Sequence, residues 1–212
     1  MSHLATFDAA FARCPLVAIL RGVQPHEVEA IGDALLDAGF AIVEVPLNSP
    51  DPYESITRLS SKLAGYAAVG AGTVLSVEQV ERVEAAGGTL IISPNANPAV
   101  IAAAAQRGLV AMPGIATPTE AFAALEAGAA ALKLFPAEAA SPAVLKAMRA
   151  VLPRDVRMLP VGGIVPSVLA EWHQAGAAGY GLGSALYVPG MDAATVGERA
   201  RAFVAAWQAL AR

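Results

Sequence analysis

Short apolar runs alternate along the chain with longer stretches in which Ala, Leu and Glu recur at helical spacing. The runs at 16–20 (LVAIL), 40–45 (FAIVEV), 67–70 (AAVG), 89–92 (TLII), 109–111 (LVA), 130–134 (AALKL), 157–161 (RMLPV) and 178–181 (AGYG) predict strands. The stretches at 25–38, 52–64, 76–86, 98–107, 118–127, 141–151, 166–175 and 193–210 predict helices, and a further helix at 3–12 precedes the first strand. Ser76, Thr117-Pro118 and Ser141-Pro142 carry helix-starting chemistry, with Gln79 at the capping-box position after Ser76. DAGF (37–40), AAGG (85–88), QRG (106–108), EAGA (126–129) and QAGA (174–177) each place a glycine where a left-handed helix end is needed before the next strand.

A repeating helix–glycine–strand unit implies parallel pairing with right-handed crossovers. A closed (β/α)8 barrel and an open doubly wound sheet both satisfy it. The eight runs favour the barrel, and no linker or composition shift divides the chain. The expected fold is therefore α/β, a single (β/α)8 TIM barrel domain over 1–212 with an extra N-terminal helix. In either architecture the chemistry belongs at the carboxyl ends of the strands.

Composition narrows the class. Hydrophobic residues are 56% and charged residues 15%, which predicts a large core. The net charge is −4 and no Lys/Arg block occurs, which argues against nucleic acid as a partner. Cys14 is the single cysteine, so no internal disulfide framework exists. The opening MSHLATFDAAFARCP lacks the pattern of a secretory leader, and no apolar run approaches the ~20 residues that span a bilayer. A cytoplasmic protein without a membrane partner is expected.

The strand ends offer Arg21, Glu44, Thr73, Pro94 and Asn95, Pro113-Gly114, Lys133, Gly162-Gly163 and Gly183-Ser184. Of the three lysines, Lys62 and Lys146 sit in helical, solvent-compatible patterns, whereas Lys133 lies between Leu132 and Leu134 in an apolar strand. Alternation sends the leucines to one face and Lys133 to the interior. A desolvated lysine has a lowered pKa, and its neutral amine can attack a ketone to form a Schiff base. A structural ion pair with a core carboxylate is the competing reading. Glu44 shares a face with Ile42 and points inward by the same rule. There it serves either as the partner of Lys133 or as a proton shuttle.

The glycines at 162–163 and 181–184, on the last two strands, suit free amides aimed at a phosphate, although tight turns alone also favour glycine. Arg21 can fork onto a carboxylate or make a surface ion pair. His3, His26 and His173 have no metal-ligand spacing, and neither a G-x-S-x-G elbow nor a Walker loop occurs, so no metal or cofactor is expected.

The segments A-I-L-R-G (18–22), V-E-V-P-L-N-S-P (43–50), V-G-A-G-T-V-L (69–75), S-P-N (93–95), P-G-I-A-T-P-T-E (113–120), A-L-K-L-F-P (131–136) and V-G-G-I (161–164) resemble the 2-keto-3-deoxy-6-phosphogluconate/4-hydroxy-2-oxoglutarate (KDPG/KHG) aldolase family, in one order over about residues 15 to 188. The resemblance implies a trimeric class I aldolase that needs no metal. Lys133 would be its Schiff-base lysine and Glu44 its general acid/base. Arg21 and Thr73 would hold the pyruvyl end, with Pro94 among the substrate contacts. Gly162, Gly163, Gly183 and Ser184 would hold phosphate. The partners implied are a phosphorylated 2-keto-3-deoxy sugar acid, pyruvate and glyceraldehyde 3-phosphate.

One segment departs from the gluconate-type pattern E-V-T-L-R-T. Pro46 and Asn48 stand where Thr and Arg are usual, a form similar to the galactonate branch, which differs in configuration at C4. The gluconate substrate is the alternative. More distant is a sugar-phosphate isomerase or epimerase on the same scaffold. A non-enzymatic sugar-phosphate binder gives no reason to bury Lys133 and Glu44 together.

Overall fold

The protein was analysed as a computed structural model that describes residues 2–210. The strands are β1 (Leu16–Ile19), β2 (Ile42–Pro46), β3 (Ala68–Gly72), β4 (Leu90–Ile92), β5 (Val110–Met112), β6 (Gly114–Ile115), β7 (Leu132–Leu134), β8 (Met158–Pro160) and β9 (Tyr180–Leu182). The helices are α1 (His3–Arg13), α2 (Val28–Asp37), α3 (Pro52–Lys62), α4 (Val77–Ala85), α5 (Pro98–Gln106), α6 (Pro118–Glu126), α7 (Pro142–Arg149), α8 (Leu169–Gln174) and α9 (Ala193–Leu210).

Local chemistry explains the helix ends. Ser76 and Ser141 accept from the amides of Gln79 and Val144, and Thr117 forms a full capping box with Glu120. The expected terminating glycines Gly39, Gly87, Gly108, Gly128 and Gly176 all have positive φ, which a side chain would strain.

The expected closed (β/α)8 TIM barrel is corrected by the hydrogen-bond ladders. They form a curled parallel sheet of six strands in the order β5-β4-β3-β2-β1-β9 and a separate parallel sheet of three, β6-β7-β8. Prolines explain both breaks. The carbonyls of Ala111 and Pro113 accept from the Ala130 and Lys133 amides. Residues two apart on a strand face the same neighbour, so the N–H that Pro113 lacks would also have faced that side. At the other seam, Arg157 and Val161 bond to β7, and the Met158 carbonyl accepts from Ala178 beside β9. The donor missing from Pro160 therefore belongs to the β9 side. A single bridge, Val161 to Gly181, remains there.

Strand alternation divides the core into two layers. Val43, Val45, Leu132 and Leu134 pack outward against the helices. Val17, Ile42, Leu90, Ile92, Val110, Met112, Ala131 and Leu159 form a second cluster between the two sheets. Phe7 and Ala10 of α1 belong to that inner cluster, and Arg157 holds α1 through Asp8 at 2.6 Å. The apolar face of α1 thus closes one end of the interior, and the carboxyl ends of the strands surround the other. Among the described residues, no helix is long and apolar enough to cross a membrane.

Candidate active site

Lys133 extends from β7 and Glu44 from β2, both into the interior that the sequence pattern assigns them. They are 5% and 2% exposed, and both line one small internal cavity with Val17, Ile19, Met112 and Leu159. The two do not approach to ion-pair distance. Glu44 Oε2 is buried and has no hydrogen-bond partner, and Lys133 Nζ lies 4.6 Å from the centre of the Phe135 ring. Burial dominates both groups. It pulls the Lys133 amine below the usual lysine value, against the pull of the Glu44 charge and with a further push from Arg21. It pushes the Glu44 carboxyl above the usual carboxylate range, against the pull of Lys133 and Arg21. Each direction shifts its group toward the neutral form, so burial works against charge on both the amine and the carboxyl group.

Gly72 decides where the Glu44 carboxyl can lie. It pairs with Pro46 in the β2–β3 register, and a Cβ there would stand 1.7 Å from Glu44 Oε2. The role of Gly72, close approach of a carboxyl side chain from the neighbouring strand, depends on the strand register and leaves no trace in the sequence.

A larger cavity of about 540 Å³ opens at the carboxyl rim. It shares Ile19, Lys133 and Val161 with the inner one, so Lys133 stands where the two meet. Arg21, Gly162, Gly163, Gly183 and Ser184 line it. Gly162 and Gly163 have positive φ and form the bend that follows β8. Thr73 and Pro94 lie on the same rim but line neither cavity. Thr73 has φ 58, uncommon for a β-branched residue, and its loop is tied down by Ser93, which donates to the Val74 carbonyl at 2.7 Å.

Glu138 was not expected. Its carboxylate packs on the Gly162–Gly163 turn and lines the large cavity. Its only sequence signal is its position five residues after Lys133. Asn48, which the sequence marks only as part of the galactonate-type segment, contacts the site's arginine: its side-chain oxygen accepts from Arg21 Nη1 at 2.6 Å.

A buried amine shifted toward its neutral form, a carboxyl group across a small void and a rim of backbone turns form a site for carbonyl chemistry on an elongated anion. The comparison with known families agrees: the KDPG and KHG aldolase model matches residues 7–196, and the chain belongs to that family. It is an aldolase, a carbon–carbon lyase. The chain is 49% identical over 196 residues to a probable 2-dehydro-3-deoxy-6-phosphogalactonate aldolase of Rhizobium meliloti (strain 1021), covering 92% of each chain. It is 48% identical to the 2-dehydro-3-deoxy-6-phosphogalactonate aldolase of Escherichia coli (strain K12), covering 92% of this chain and 96% of that one. A solved structure described as native KDPGal superposes with a TM-score of 0.92 at 47% identity, over 94% of this chain and 97% of the other.

Proposed function

We propose that this aldolase is of class I and reversibly cleaves 2-dehydro-3-deoxy-6-phosphogalactonate to pyruvate and D-glyceraldehyde 3-phosphate. One observation carries the class: the Lys133 amine is buried and held toward its neutral form at the junction of the two cavities. The substrate assignment is supported by the relatives' names and by Pro46 and Asn48 after Glu44.

The neutral Lys133 amine adds to the C2 ketone. The carboxyl group of Glu44, which favours its proton, donates to the departing hydroxyl as water leaves, giving an iminium. The positive charge now at Lys133 stabilises the Glu44 carboxylate, which removes the C4 hydroxyl proton. The C3–C4 electron pair flows into the iminium as the bond breaks. This releases the aldehyde and leaves a pyruvate enamine. Protonation at C3 and hydrolysis free pyruvate and the amine. Arg21 binds the carboxylate and Thr73 borders the pyruvyl end, with Pro94 beside it. Gly162, Gly163, Gly183 and Ser184 take the phosphate. The molecule works as a cytoplasmic homotrimer, a reading that rests on the family resemblance.

The test joins pyruvate with D-glyceraldehyde 3-phosphate and assigns the C4 configuration of the product. The galacto product is expected, and a purely gluco product would overturn the substrate assignment. Borohydride with pyruvate should add mass to the peptide containing Lys133, and an unmodified peptide would remove the Schiff base.

A further inference from the structure

We propose that Asn48 is a positioning residue that fixes the Arg21 guanidinium for the substrate carboxylate. The proposal rests on the assignment of that carboxylate to Arg21. Asn48 does not touch substrate and acts through the arginine.

The turn after β2 is anchored on both sides of Asn48. The Leu47 amide donates to the Gly72 carbonyl at 2.8 Å, and the Ser49 amide donates to the Pro46 carbonyl at 2.9 Å. Ser49 is itself buried, and its hydroxyl accepts from the Gly22 amide at 2.9 Å. This turn therefore grips the Arg21–Gly22 segment twice, through the backbone of Gly22 and through the side chain of Arg21. The launch point of the Asn48 side chain is set by three hydrogen bonds around it.

Arg21 and Asn48 are both exposed, and a hydrogen bond between two exposed side chains adds little to folding. Its effect is on orientation. A guanidinium offers five donors in a rigid plane, and Asn48 occupies one on Nη1. The remaining donors still include a two-pronged edge for a carboxylate. Holding one corner turns a freely rotating cation into an oriented clamp, which lowers the ordering cost of binding. The anchor is uncharged, so it orients the arginine without cancelling its charge. The same turn continues the strand that bears Glu44, and Glu44 pairs in register with Ile19 of the strand that leads to Arg21. Carboxylate clamp and proton-transfer group are thereby referenced to one another.

The experiment measures the pyruvate concentration that half-saturates borohydride trapping on Lys133, for wild type, Asn48→Ala, Arg21→Met and the double variant. Trapping at saturating pyruvate reports the intact site in each. The expected result is a rise of about tenfold in Asn48→Ala, with trapping at saturation kept within about twofold. The double variant should match Arg21→Met, because an anchor has no effect once the arginine is gone. Wild-type half-saturation in Asn48→Ala, or effects that multiply in the double variant, would overturn the positioning role alone. Wild-type half-saturation in Arg21→Met would overturn the carboxylate assignment, and the positioning proposal with it.

Discussion

Glu44 is held where its charge is disfavoured, and that has consequences for both rate and stability. Glu44→Gln keeps the shape of the side chain and removes its acid–base capacity. Pyruvate should still be trapped on Lys133, while turnover falls by about 10²- to 10⁴-fold. Near-normal turnover would make Glu44 structural. The stability effect has a definite sign. Below the unfolded carboxyl value of about 4.3, both states of wild type hold the proton. As pH rises from there toward the raised folded value, the unfolded chain loses its proton first, so wild-type stability declines. Glu44→Gln lacks this titration. Its melting temperature should gain on wild type as pH rises above about 4.3, and a difference that does not change with pH would contradict the buried, proton-retaining carboxyl.

At the scale of elements, β3 matters for what it omits. Gly72→Ala places a methyl group where the Glu44 carboxyl now lies, 1.7 Å from Oε2. The carboxyl is the end of a flexible side chain and can swing aside, so the fold should survive with the acid–base group displaced. Turnover should drop toward that of Glu44→Gln while borohydride trapping persists, and wild-type turnover would show that the approach has no catalytic importance. Elements also show what alternation makes legible. The inward direction of Lys133 and Glu44 follows from period two, because Leu132, Leu134, Val43 and Val45 all need the opposite face. Helix ends were legible where a side chain caps them or a glycine closes them. The helix expected at 25–38 instead begins at Val28, after a turn in which the Glu27 amide bonds to the Gln24 carbonyl. The stretch at 166–175 divides into a 3-10 turn and α8. Contacts such as Arg21 to Asn48, 27 residues apart, leave no periodic trace.

For the whole molecule, element order was legible and ladder closure was not. Pro113 and Pro160 are plain in the sequence, but which neighbour each missing N–H would face depends on register across strands. The role of α1 likewise appears only in three dimensions, where Phe7 is fully buried in the inner core cluster. Phe7→Ala should lower unfolding free energy by about 3–5 kcal/mol in denaturant titration and leave the Michaelis constant near wild type. A small loss of stability would mean that α1 is not a closing element.

With α1 packed over the far end, the chamber around Lys133 opens, among the described residues, through the carboxyl rim. Sugar acid, aldehyde, water and pyruvate share it. In the proposed reaction the aldehyde half, bound at the rim, stands between the enamine and the solvent that must eventually hydrolyse it. Departure of the first product therefore admits the reagent that liberates the second, and the architecture imposes a queue: aldehyde out, water in, pyruvate last.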